Sequence, residues 1–119
     1  MRLLVVDDDY RVLEMLLACL EDEGFEVMLA ASATDAMARE LDVPPDVLVT
    51  DLDLGEGSNG IDLASEARRR WPDLRVVYMS GQPWPKGVVP VGGNETFLPK
   101  PFKVSALVRG VHSVTGGSA

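Results

Sequence analysis

Asp7 and Asp8 end one aliphatic run, Asp51 ends another, Ser80 closes a third and Lys100 follows a fourth. Brought together, three carboxylates, a hydroxyl and an ammonium make a phosphoryl-transfer site. Two carboxylates about 4 Å apart repel by roughly 4 kcal/mol at an effective dielectric of about 20. Three therefore need a shared proton, the Lys100 ammonium or a hard cation beside them. Ligands that are all oxygen, with no His or Cys in these segments, favour Mg²⁺, with Mn²⁺ as a substitute. The cation would take Asp8 and Asp51 directly, a backbone carbonyl at Asp53, and waters held by Asp7. The Asp51 carboxylate would then attack phosphorus in line, with Lys100 offsetting charge on the phosphoryl oxygens and Ser80 bonding one of them afterwards. The product would be an aspartyl phosphate, so the chain would modify itself.

Each of these residues is weak alone, because an acidic triplet after a strand is usually a solvated loop. Their joint placement at successive strand ends is what carries the reading. The strands are short: LLVV (3–6), FEVMLA (25–30), DVLVT (46–50), LRVVYMS (74–80) and TFL (96–98). Between them, Leu13, Leu16, Leu17 and Leu20 recur at helical spacing over 10–23, and Gly24 supplies a stop. Ser32 and Asp35 resemble a capping box that opens a short helix through about Leu41. A glycine-rich loop (55–60) precedes a helix with Leu63, Ala64, Ala67 and Trp71 on one face, a Glu66–Arg70 pair, and Pro72 as its stop. A last amphipathic helix covers 103–114. Residues 82–95 hold three prolines and three glycines, which opposes the helix that strict alternation would place there.

Strands apolar throughout and separated by helices predict a parallel sheet covered on both faces, a doubly wound αβα sandwich. Such folds put their site outside the carboxyl ends of the strands, where Asp7, Asp8, Asp51, Ser80 and Lys100 all fall. With 119 residues the chain suits one domain, taken as 1–115 with a disordered tail over 116–119. No stretch is apolar for long enough to span a bilayer, and the opening MRLLVVDDD is not a signal peptide. The single cysteine, Cys19, excludes an internal disulfide and suits a reducing, cytoplasmic setting. A net charge of −8 opposes contact with nucleic acid or an anionic membrane. No oligomeric state is specified.

The blocks LLVVDDD, PDVLVTDLDLG, VVYMSG and FLPKPF together resemble bacterial response-regulator receiver domains over nearly the whole chain. VVYMSG and FLPKPF look like receivers attached to hybrid histidine kinases. The resemblance implies a flavodoxin-like sheet in the order 2-1-3-4-5. It also implies Asp7 and Asp8 as the acidic metal-binding pair, Asp51 as phosphoacceptor, Ser80 as switch hydroxyl, Lys100 as phosphate-sensing lysine and Phe97 as aromatic switch. Lys100-Pro101 matches a bond typically cis in that family, and Asp53 and Gln82 match positions that tune acyl-phosphate lifetime. The implied partners are a histidine kinase or histidine phosphotransfer protein and a downstream protein target.

The chain departs from this pattern in three places. Gly55 stands where the family commonly has proline, in a loop one residue longer before Gly60, which predicts a looser site loop. Phe97 lacks a phenol hydroxyl. The Pro/Gly-rich segment replaces the fourth helix. Other readings stay open: a Mg²⁺ phosphatase using Asp51-x-Asp53, similar to the opening motif of haloacid-dehalogenase-type hydrolases; a flavodoxin-like nucleotide binder, whose phosphate Asp7-Asp8-Asp9 would repel; and a pseudo-receiver that only docks a partner. Cys19 reads as a small buried hydrophobe, His112 as remote from the site and Arg68-Arg69-Arg70 as a solvated helix face. Trp84 is either an exposed partner anchor or a ring folded into the missing helix's place.

Overall fold

Five aliphatic runs become five parallel strands: β1 (Arg2–Val6), β2 (Glu26–Ala30), β3 (Val47–Asp51), β4 (Arg75–Ser80) and β5 (Glu95–Pro99). They pair in the order β2-β1-β3-β4-β5, the order the resemblance implies. The structure is a computed structural model and describes residues 1–55, 57–88 and 93–116. Four helices among these residues complete the sandwich: α1 (Tyr10–Asp22), α2 (Ala33–Ala38), α3 (Gly60–Arg70) and α4 (Val104–Thr115).

Alternate strand residues bury on opposite faces, as a period of two requires. Leu3, Val5, Val47, Val49, Val77 and Met79 pack with Leu13, Leu16 and Leu20 of α1 and Leu107 and Val111 of α4. Leu4, Val6, Leu48, Val76 and Tyr78 pack with Ala36 of α2 and Leu63, Ala64 and Ala67 of α3. Each fully buried Leu or Val contributes roughly 1.5–3 kcal/mol, so both faces of the central strands hold their exits in place.

The helix ends are built from local chemistry. Asp9 caps α1 by accepting from the Arg11 N–H at 2.9 Å. At the other end Gly24, at φ +91°, lets its own N–H reach the Glu21 carbonyl at 3.0 Å and that of Phe25 reach Leu20 at 3.1 Å, a Schellman motif. Ser32 accepts from the Asp35 N–H at 3.0 Å, and the Asp35 carboxylate accepts in return from Ala31 at 3.2 Å. The helix so opened stops at Ala38, not Leu41. Arg39 turns to extended backbone and its guanidinium donates to the Leu29 carbonyl of β2.

The arginine run on α3 is not simply solvated. Arg68 is half-buried and reaches Glu95 and the Leu74 carbonyl. The guanidinium of Arg70 stacks 4.6 Å over Trp71 and donates to the Met37 carbonyl. No Glu66–Arg70 ion pair forms among the described residues. Cys19 is half-buried, more open than expected, and His112 lies against the Phe25 ring with centroids 6.0 Å apart.

Between β4 and β5, residues 81–88 and 93–94 form no helix; residues 89–92 lie outside the described residues, as do 117–119 of the expected tail. Trp84 takes part of the absent helix's place, packing on the α2–α3 face. No helix among the described residues is long and apolar enough to cross a membrane.

Candidate functional site

Pairing continues past β1: the Asp7 N–H donates to Ala30 at 3.2 Å. This sets Asp7 at the sheet's carboxyl edge with 1% of its surface exposed. Its Oδ1 accepts from the Asp9 N–H at 2.9 Å. Asp8 turns outward and is exposed, while Asp51 is the last residue of β3 and half-buried. One carboxylate oxygen from each of Asp7, Asp8 and Asp51 lies within 4.8 Å of the others. The acidic triplet therefore divides its work: Asp7 and Asp8 join the cluster, and Asp9 leaves it to cap α1.

Lys100 enters from β5. Its backbone N–H donates to the Ser80 carbonyl at 2.7 Å, and the Lys100–Pro101 bond is cis. The ammonium donates to Asp51 Oδ2 at 3.1 Å and to Asp7 Oδ2 at 3.2 Å. The lysine thus supplies one of the three ways to relieve the carboxylate repulsion. Burial pushes the Asp7 carboxyl above its ordinary value; the Asp9 N–H and Lys100 pull it down, and the Asp51 charge adds to the rise. Burial alone would lower Lys100, but its bond to Asp51 and the charges of Asp7 and Asp51 outweigh this and raise it. The cluster thus stores unfavourable carboxylate burial that one ammonium only partly offsets.

The loop after Asp51 is closed by its own bonds. Gly55 sits at φ +76°, a conformation a proline ring locked near −65° cannot adopt. Its N–H donates to the Asp53 carboxylate at 3.0 Å, and the Asp53 N–H points to Asp51 Oδ1 at 3.3 Å. Leu54 and Ser58 bond across the turn, Ser58 donates to the Gly55 carbonyl, and Asp53 bridges Asn59. A Cβ at Gly55 would lie 3.5 Å from Asp8 Oδ2, so the bare glycine leaves the approach to Asp8 open.

Gly60 was not singled out as a site residue, yet it fixes Asp51 from behind. A Cβ there would come within 2.4 Å of the Asp51 carbonyl oxygen and 2.9 Å of Thr50 Cγ2. Only its place at a helix start hinted at this, and the close approach is visible only in three dimensions.

Ser80 ends β4 and is nearly buried. Its Oγ accepts from the N–H of Gln82, whose side chain is exposed, at 2.9 Å. Phe97 lies beside Tyr78 in the β4–β5 register and is half-buried. The Trp84 ring packs against both, its centroid 5.3 Å from that of Tyr78 and 5.6 Å, edge-on, from that of Phe97. Tyr78 donates to Glu95 at 2.9 Å, and Glu95 also pairs with Arg68. This polar triad had no local signal, since its members sit on α3, β4 and β5. A groove of about 690 Å³ lined by Pro44, Pro45, Trp71 and Pro72 is at the opposite edge of the strands, remote from the five strand-end residues.

The oxygen-only set, with Asp8 exposed and Asp51 partly so, fits a hard divalent cation. Comparison with known proteins identifies the family. The family model described as "Response regulator receiver domain" matches residues 3–112. The acid tolerance regulatory protein ActR of Sinorhizobium medicae is 39% identical over 79 residues, 66% of this chain and 40% of that protein. The DNA-binding response regulator MtrA of Mycobacterium tuberculosis is 34% identical over 115 residues, 94% of this chain and 49% of that protein. The chain thus spans about half, or less, of the length of these curated relatives. The crystal structure of the receiver domain from the hybrid histidine kinase CckA superposes with a TM-score of 0.79 at 28% identity, covering 96% of this chain and 98% of that one.

Proposed function

This chain belongs to the response regulator receiver domain family, a two-component phosphoacceptor module, and we propose on that premise that Asp51 is its phosphorylation site. The observation that carries the proposal is the cluster itself. Asp51 shares a sheet edge with Asp7 and Asp8, and Lys100 bonds it at 3.1 Å.

In this reading an Asp51 carboxylate oxygen attacks the phosphorus of a phosphohistidine on a histidine kinase or histidine phosphotransfer protein. The O–P bond forms as the P–N bond breaks, and the imidazole nitrogen keeps the electron pair and takes up a proton. Asp8, Asp51 and the Asp53 carbonyl would hold Mg²⁺, or Mn²⁺ in its place, with Asp7 acting through water. When bound, the cation supplies positive charge against the phosphoryl oxygens. Lys100 exchanges its Asp51 oxygen for one of the phosphoryl group. Ser80 turns its hydroxyl to another, giving up the Gln82 N–H. Phe97 responds on the β5 face.

Asp53 and Gln82 flank the acyl phosphate and tune its lifetime, and its hydrolysis is the only other reaction the chain performs on itself. Residues 1–115 act as one cytoplasmic receiver unit that signals through contact with a protein target. With a charge of −8, this unit does not itself hold nucleic acid. MtrA's name assigns DNA binding to a protein of twice the length.

Incubation with acetyl phosphate and Mg²⁺ followed by intact-mass measurement tests this. Wild type gains one phosphoryl group and Asp51→Asn does not. Equal modification of the Asn variant would move the acceptor elsewhere. Release of phosphate from a phosphomonoester, with no modified protein, would favour the phosphatase reading.

A further inference from the structure

We infer that Trp84 is a plug over the β4–β5 face that Ser80 releases on phosphorylation, an inference that rests on the Asp51 reading above. The structure links the two residues by a short mechanical path. Ser80 Oγ accepts from the Gln82 N–H at 2.9 Å, so a hydroxyl that turns to a phosphoryl oxygen leaves that N–H without its partner. Gln82 opens the segment Gln82-Pro83-Trp84-Pro85. Every residue of it is either a proline, with φ fixed, or precedes a proline and is held extended. Such a segment cannot absorb a displacement at Gln82, and passes it to Trp84 as a stiff bar would. Gly81 before it and Gly87 after it, the latter at φ +79°, leave the bar free at both ends.

Trp84 is poised to move. Its ring is half-buried against both Tyr78 and Phe97, and its indole N–H is buried without an acceptor among the described residues. Leaving the pocket would therefore restore a hydrogen bond to water as it exposes apolar area. The same step vacates the face of Phe97 and leaves that ring room to turn into the space above Tyr78. The chain would thus do with one ring on a proline bar what a displaced helix would otherwise do.

The full chain carrying Trp71→Phe keeps Trp84 as its one indole, and its emission and acrylamide quenching can be followed with acetyl phosphate and Mg²⁺. Intact mass is read on the same samples. Phosphorylation should shift emission to the red and increase quenching. In Trp71→Phe/Pro83→Gly, which loosens the bar at its first proline and leaves the phosphoryl site untouched, the adduct should form without either change. If no adduct forms in the first protein, both the plug and the Asp51 reading fall. An adduct with unchanged emission, or a full red shift that survives Pro83→Gly, overturns the plug alone. Fluorine NMR of fluorotryptophan-labelled wild type, assigned with Trp84→Phe, reads the same movement should Trp71→Phe not fold.

Discussion

The Lys100 ammonium meets the Asp51 carboxylate at 3.1 Å across 49 residues of sequence, and the same nitrogen reaches Asp7 at 3.2 Å. Among the described residues it is the one cation inside a cluster of three carboxylates. Removing one partner of a largely buried ion pair costs about 3–5 kcal/mol, and the partial exposure of Lys100 reduces this. Lys100→Met should lose about 2 kcal/mol in urea melts without divalent ions, and Mg²⁺ should restore part of it. An unchanged midpoint would mean the contact carries no stability.

Asp7 should behave in the opposite way. Burial raises its carboxyl above the ordinary 3.8, so the folded chain holds this proton more tightly than the unfolded chain. Its contribution to stability therefore falls as pH rises from 3.8 through the raised folded value. At neutral pH the charged form is a cost. Asp7→Asn should unfold at higher urea than wild type in metal-free buffer, yet gain less from Mg²⁺. A loss of stability in metal-free buffer would contradict this account of the cluster.

At alkaline pH two groups act together. Lys100 is raised above 10.5, so its contribution is complete below that value and is lost as pH rises through the folded one. Burial and the Glu95 charge raise the Tyr78 phenol above 10.0, so above that pH the unfolded chain sheds a proton the folded chain keeps. Both effects lower stability above about pH 10. Tyr78→Phe should flatten the alkaline limb of the stability profile, at a cost in the Glu95 hydrogen bond at neutral pH of about 1 kcal/mol.

Gly60→Ala should destabilise by about 1–3 kcal/mol, because the added methyl must displace the Asp51 carbonyl. The rate of phosphorylation should fall with it, since Asp51 moves relative to Lys100. Gly57→Ala, with open space around its Cβ but φ +78°, separates backbone strain from displacement of Asp51. The two variants should differ in phosphorylation rate more than in stability.

Mg²⁺ or Mn²⁺ at about 100 times its dissociation constant should add roughly 2.7 kcal/mol to unfolding. Asp8→Asn and Asp51→Asn should each lose most of that increment. Retention in both would place the cation elsewhere.

Much of this was legible in the chain because continuous aliphatic runs ended by a polar residue have few readings other than buried parallel strands. Asp7, Asp8, Asp51, Ser80 and Lys100 stood out for that reason, and the topology carried them to one edge. What stayed hidden depends on contacts between elements. Gly60 looks like any loop glycine until Asp51 is placed against it. Arg68 reads as one of three surface arginines until Glu95 of β5 comes beside it. Arg39 ended α2 early through a carbonyl on β2, which no helix periodicity encodes. Trp84 had two readings, and only its contacts with Tyr78 and Phe97 chose between them.

Borohydride trapping tests the central claim most directly. An aspartyl phosphate is an acyl phosphate, and reduction converts its side chain to the alcohol of homoserine. After phosphorylation with Mg²⁺ and a phosphodonor, peptide mapping should find homoserine at position 51 and an unaltered Asp53. Homoserine at Asp53, Asp7 or Asp8, or none at all in protein shown by mass to carry a phosphoryl group, would contradict the assignment of Asp51.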